Sequence, residues 1–335
     1  MGPWNVSDEA AALLSRALVW DNTFPFNELC GTQAEHLATL RRMRASGCSF
    51  VSLTVAPDKF GVEHCVRRIG EIYALAAAQA DWLALCFSAD DIEAAKREGK
   101  LGLGLNFQGT DPFARDLGLV AVYYRLGIRH ALLAYNEKNA VGDGCHERTD
   151  AGLSRYGMEL IAEMNRVGML VDCTHTGYRT SMEAMEASTA PCIFSHSCAR
   201  ALVDHERNIR DDQVKACART GGVVGVTGVG MFLGDNDRST QNLVRHIDHM
   251  AELVGPAHVG YGSDYVSSVP TLMAVIAGNP ARFPADQYQP GSIAFAEPEQ
   301  IPELAEALLR RGFKDDEVLG ILGGNWLRVC RAVWK

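Results

Sequence analysis

No apolar run in this 335-residue chain approaches the length of about 18 residues that a membrane span needs, so no bilayer crossing is expected. There is no CxxC pair either. The ten cysteines fall mostly inside apolar or helical stretches, among them Cys48, Cys86, Cys173, Cys192 and Cys217. That usage fits reduced, buried thiols in a cytosolic protein better than a disulfide framework. Positive charge is scarce and scattered: 32 Lys and Arg stand against 41 Asp and Glu, for a net charge of -9. Without a basic stripe, nucleic acid is not an expected partner. The first residues carry Asp8 and Glu9 and no basic-then-apolar leader, and 327–335 has no hydrophobic tail to exchange for a lipid anchor. GLGLNF (102–107) lacks the GxGxxG spacing and a helix start behind it, so it implies no dinucleotide.

What the chain does have is alternation. Strand-like runs at 17–20, 49–55, 101–107, 129–134, 169–171, 192–194, 223–227 and 258–261 are separated by helix-like segments at 33–45, 62–79, 92–98, 117–126, 156–167, 211–220 and 239–253. Ser88, Asp90 and Asp91 mark one of the helix starts. Eight such alternations without an internal repeat predict a single (β/α)8 barrel over 1–335. Residues 266–300, rich in Pro and Gly, read as an irregular excursion over the barrel mouth, with closing helices at 302–311 and 315–322.

The centre of interest is 168–208. Two apolar runs there each lead into a histidine flanked by small hydroxylated residues, Thr174-His175 and Ser195-His196. Neighbouring parallel strands place such residues side by side at the C-terminal face of a barrel, where two imidazoles suit a divalent metal. A lone strand-end histidine is more often a hydrogen-bonded core residue; the matched pair is what favours a site. The loop at 136–152 is unusually long for a βα connection and predicts substrate contact. Asp143 within it is a candidate for a substrate ammonium, and more simply a turn aspartate before glycine. His36, His64, His246 and His249 fall on helical stretches and are read as core or surface residues.

YRLGIRHALLAYNEKN, GMELIAEMNRVGMLVDCTHTG, FSHSCARALVDHERNIRDD, VGYGSDY and the terminal GGNWLRV occur in that order. Together they resemble the renal or membrane dipeptidase family of metallopeptidases, within the amidohydrolase superfamily. The resemblance implies a (β/α)8 barrel, a dipeptide substrate, often with a D-residue at its carboxyl end, two zinc ions bridged by a glutamate and a hydroxide, and by family likeness a homodimer. It also assigns roles. His175 and His196 match the histidines of the second zinc, Arg207 the arginine that grips the substrate carboxylate, and Asp264 the aspartate after the last strand.

Three positions depart from the pattern. The HxD pair falls on Asp21-Asn22-Thr23-Phe24-Pro25, with Thr23 in place of the histidine and Pro25 in place of the aspartate. The bridging glutamate falls on Gln108, and the histidine that contacts the substrate carbonyl falls on Tyr135. Proline has no ligating side chain and a neutral amide cannot bridge two cations. One zinc is therefore expected rather than two, held by His175, His196 and Asp264 with Gln108 as a weak carbonyl contact or a partner for water. Asp264 serves either as ligand or as proton-carrying base. Tyr135 either donates its hydroxyl to a developing oxyanion or is a packed rim aromatic. For Arg207 the alternative is a surface ion pair with Asp204, Glu206 or Asp211. The expected activity is hydrolysis of a small amide or dipeptide bearing a free carboxylate, or of an N-acyl or N-modified amino acid. The alternative is a hydrolase-fold pseudoenzyme that binds a small carboxylate without turnover.

Overall fold

The computed structural model describes residues 4–288 and 291–335. Nine parallel-paired strands are found among them: β1 (Val19–Pro25), β2 (Cys48–Pro57), β3 (Leu83–Leu85), β4 (Leu101–Gln108), β5 (Ile128–Leu132), β6 (Leu170–Asp172), β7 (Cys192–Ile193), β8 (Val224–Val226) and β9 (Val259–Tyr261). One sheet runs β1-β2-β4-β5-β6-β7, and β8 pairs with β9. A bridge between Phe194 and Val224 continues the sheet from β7 to β8. On the far side Asp264 N–H donates to Thr23 O at 3.2 Å, joining the end of β9 to β1. The sheet thus closes on itself as the predicted (β/α)8 barrel. The short β3 lies outside the eight and pairs with the start of β4.

Every residue of β1, β2 and β4 is buried, which is why these strands read as near-continuous apolar runs rather than as alternation. Local chemistry sets the helix starts. Thr32 forms a reciprocal capping box with Glu35 at the helix Gln33–Ala45, and Ser88 does the same with Asp91 at Ala89–Arg97. Gly104 is needed because a side chain there would meet the Phe50 ring at 2.4 Å. Residues 266–300, expected to be irregular, begin with a helix, Val269–Gly278, started by Pro270 in its first turn. No helix among the described residues is long and apolar enough to cross a membrane.

A separate apolar cluster, including Trp20, Phe50, Leu170, Ile193, Val223 and Trp326, seals the end where the strands begin. Trp326 from the final helix donates to Tyr261 O at 3.1 Å and packs where a Cβ on Gly260 would stand. The opposite end, at the strands' carboxyl termini, is left for polar groups.

Candidate active site

His175 and His196 each lie three residues beyond a strand end, and their Nε2 atoms are 3.1 Å apart. One carboxylate fixes both turns. Asp172, the last residue of β6, accepts the Thr174 N–H at 3.0 Å and the Ser195 N–H at 3.2 Å on the same oxygen, Oδ1. Its other oxygen meets His130 Nδ1 at 3.2 Å. Burial would raise the Asp172 pKa, but the His130 contact and its charge, with His196 nearby, hold it below the usual carboxylate value.

The orientation of the His175 ring follows from its neighbours. Asn136 Nδ2 donates to the Arg282 carbonyl at 3.0 Å, which turns Asn136 Oδ1 toward His175 Nδ1 at 2.6 Å. The Arg207 Nε–H faces the same Nδ1 at 3.1 Å, so both contacts hold the ring from that side and leave Nε2 turned toward His196. His196 is held through Nδ1 by Ser195 Oγ at 2.8 Å and Thr23 Oγ1 at 3.0 Å. Burial first, and the Arg207 charge second, push both imidazoles well below their ordinary pKa, so both rings are neutral. His175, Asn136 and Asp264 all have left-handed backbone conformations, with φ of 65°, 61° and 54°. Such strain in non-glycine residues gathers where geometry is dictated by use.

Arg207 is 1% exposed and makes no ion pair among the described residues. Its candidate surface partners are engaged elsewhere: Asp204 with Arg200, Glu206 with His146 and Asp211 with His249. The guanidinium instead donates from Nη2 to His196 O at 2.8 Å and from Nη1 to Ser197 Oγ at 3.3 Å, while Nε lies 3.1 Å from His175 Nδ1. A buried cation without a counter-ion is costly, and an anionic ligand relieves that cost.

Asp264 brings Oδ2 within 3.9 Å of His196 Nε2. Burial pushes its pKa up to about 7, opposed by Arg207 and assisted by Asp21. Tyr135 stacks on His175 with ring centroids 4.0 Å apart, and Arg282 covers it at 5.3 Å. Burial raises its phenol pKa, so the hydroxyl stays protonated as a donor. Gln108, the last residue of β4, is 5% exposed, and its Nε2 has no hydrogen-bond partner. Asp143 accepts from Thr149 Oγ1 and Ala151 N, both at 2.8 Å, which is the turn role.

Several residues that shape the site were not singled out from sequence. Asn136 directly follows Tyr135, and Asp172 closes the strand before CTH. The remaining two are Ser263 and Arg282. Ser263 donates its N–H and hydroxyl to buried Asp21. For Asn136, Asp172 and Ser263 the one available signal was proximity in sequence to a strand end, and Arg282, beyond the helix Val269–Gly278, had none.

The imidazole pair is placed to share a single ion. An Nε2 separation of 3.1 Å is what two nitrogens at about 2.0–2.1 Å from a shared zinc would show. Among the described residues, however, no three His, Cys, Asp or Glu side chains gather closely enough to complete a shell. At the other would-be pole stand Thr23, Pro25 and Gln108, with no charged donor among them.

Comparison with known proteins agrees with this architecture. Residues 14–277 match the model of the membrane dipeptidase family, peptidase family M19. An uncharacterised dipeptidase of Schizosaccharomyces pombe is 34% identical over 256 residues, covering 74% of this chain and 56% of that protein. A dipeptidase of Claviceps purpurea is 29% identical, covering 82% of this chain and 60% of that protein. The chain therefore spans less than two thirds of the length of these curated relatives. The solved structure of an amidohydrolase from Pseudomonas aeruginosa superposes with a TM-score of 0.87 at 30% identity, over 100% of this chain and 99% of that one. The fold is shared with a metallopeptidase from Rhodobacter sphaeroides liganded with a phosphinate mimic of L-Ala-D-Ala, at a TM-score of 0.79 and 20% identity, covering 95% and 99%. The chain belongs to the membrane dipeptidase family of metallopeptidases, peptidase family M19.

Proposed function

We propose that this protein is a hydrolase of a small amide or dipeptide bearing a free carboxylate, working with one divalent metal ion rather than two. The observation that carries the reading is the buried Arg207 guanidinium, unpaired and within reach of His175. Its unused N–H groups suit bidentate capture of a carboxylate, which fixes one end of the substrate. His175 and His196 would hold the ion, with Asp264 as third ligand and Gln108 beside it. When bound, such an ion, zinc by preference for this donor set, lowers the pKa of water and polarises a carbonyl.

The chain's own groups supply the rest. Tyr135, a protonated phenol, donates to the amide oxygen as negative charge grows on it. Asp264, whose pKa of about 7 lies near neutrality, accepts a proton from water and passes it to the leaving nitrogen. In any one turnover it works as this base or as a ligand. Ten free cysteines, nine of them buried, support a cytosolic location, and family likeness supports a homodimer.

The test is metal analysis of the purified chain with a dipeptide screen, each with and without chelator. One equivalent of zinc, lost together with turnover in the His175→Ala/His196→Ala variant, is the expected result. A folded protein that takes up no metal and turns nothing over would leave the carboxylate-binding pseudoenzyme as the reading.

A further inference from the structure

Beside the histidine pair lies a cavity whose water-accessible core is about 70 Å³, roofed by the 266–288 and 291–300 segments. Its walls are apolar, with Leu29, Phe232, Leu272, Ile276, Phe283 and Phe295 facing it. Six polar side chains interrupt that surface, two of them engaged elsewhere, Asn27 with the Leu29 N–H and Tyr288 with His146. Gln108 and Arg282 are 5% and 7% exposed, and each has a buried donor nitrogen, Nε2 and Nη2 respectively, without any acceptor. Tyr135 adds a hydroxyl. Asp264 is the one carboxylate among the described lining residues, and it already faces His196 and the Arg207 charge. Arg282 shares its own counter-ion, Glu137, with Lys59, so two cations stand against one anion behind the cavity wall.

Orphaned buried donors call for acceptors, because a donor left unpaired away from water keeps its full desolvation cost. An ammonium group brings the opposite: three more donors and a charge of the same sign as Arg282. The corner that carries acidic residues in the resembled pattern here presents Pro25 and Gln108, so an ammonium meets no carboxylate there and only the neutral Gln108 carbonyl as an acceptor.

We infer that the cavity takes the acyl half of an N-acylated amino acid, an apolar chain without a free α-ammonium, and that Gln108 and Arg282 select it by donating to its acceptor oxygens. The inference rests on the hydrolase reading for its chemistry and on the cavity alone for its specificity. Hydrolysis adds water across the amide. The hydroxyl goes to the acyl carbon, the C–N bond breaks, and the proton goes to the nitrogen, giving a carboxylic acid and a free amino acid. Arg207 holds the amino-acid carboxylate, and the acyl chain lies against Phe283 and Phe295.

A matched pair of compounds isolates the point. Leucyl-alanine and 4-methylpentanoyl-alanine differ only in the α-ammonium, and both alanine enantiomers of each are compared on the full chain with zinc supplied. The acyl amide is expected to have a kcat/KM higher by about tenfold or more. In Arg282→Met, which keeps the wall apolar, that ratio falls toward one. Equal rates, or a preference for the dipeptide, overturn the inference while leaving the hydrolase reading intact. If neither compound is cleaved, the hydrolase reading fails, and calorimetric binding of the same pair decides the specificity: tighter binding of the acyl amide sustains it, and equal or tighter binding of the dipeptide overturns it.

Discussion

The two halves of the barrel rim have parted company. On the β6–β7 side every group is pinned: Asp172 ties both histidine turns, Asn136 holds the His175 ring at Nδ1, and Arg207 is buried among their partners. On the β1–β4 side the corresponding positions hold Thr23, Pro25 and Gln108, two of which line an apolar cavity. Even so, Thr23 still serves the other half, since its hydroxyl supports His196 Nδ1. The difference teaches that two neighbouring imidazoles can be held in full order by outer hydrogen bonds while the facing positions Thr23, Pro25 and Gln108 carry no charge.

The largest expected effects break the ordered half. His175→Ala alone should lower kcat/KM by about 10⁴, and the double variant with His196→Ala should cost little more, since groups that act as one unit are not additive. Steady-state rates with zinc supplied check this; a double variant far worse than either single would mean that the histidines act separately. Pro25→Ala on the opposite side should change the same rate by less than about threefold. Next comes Arg207→Met, with a loss of about 10²–10³ in kcat/KM from removing a buried, charged hydrogen-bonding partner. Lysine at this position should recover only part of it, because it restores the charge without the planar fork. A full rescue by Arg207→Lys would argue against bidentate capture.

Asp172→Asn sharpens the comparison from behind the site. It leaves His175 and His196 in place but weakens the acceptor shared by their two turns, and outer partners of this kind are worth about 10–100-fold in metal affinity or activity. Zinc titration read alongside thermal stability separates the outcomes: affinity should fall more steeply than melting temperature. A loss of stability with unchanged zinc affinity would make Asp172 purely structural.

How much of this was legible beforehand depended on the distance over which each residue acts. The barrel followed from runs whose burial on both faces makes them uniformly apolar, and the helix Gln33–Ala45 from a cap that Thr32 and Glu35 form within one turn. The helix Val269–Gly278 was hidden because VPTLMAVIAG is apolar nearly all round and shows no helical period, while Pro and Gly crowd the residues after it. Leu83–Leu85 is too short to signal itself. Asn136 and His175 are 39 residues apart, and the bond between them exists only because the 136–152 loop folds back over the rim. Asp172 bonds backbone N–H groups, which every sequence possesses, so its role leaves no mark in the motif. Gln108 and Arg282 meet the same cavity from β4 and from the rim excursion, a convergence that spacing along the chain cannot express.

The smallest expected effect concerns a buried acid on β1. Asp21 is buried on β1 and accepts from the Ser263 N–H at 2.8 Å, from the Ser263 hydroxyl, and from the Thr23 N–H at 3.3 Å, so it joins β1 to the end of β9. Burial raises its pKa to about 6, against those three donors. In the unfolded chain it titrates near the ordinary value of 3.8. The folded state therefore holds the proton more tightly, and ionised Asp21 costs stability: nothing below about pH 4, increasingly between 4 and 6, and in full above 6. Asp21→Asn removes that cost. Relative to wild type, the variant should gain up to about 3 kcal/mol between pH 4 and pH 7, from a slightly less stable start where aspartic acid and asparagine are near-isosteres. Urea unfolding of both proteins at four pH values measures the gap. A gap that stays constant across the series would mean that Asp21 is ionised at no cost, and that the altered half of the rim keeps a charge its surroundings do accommodate.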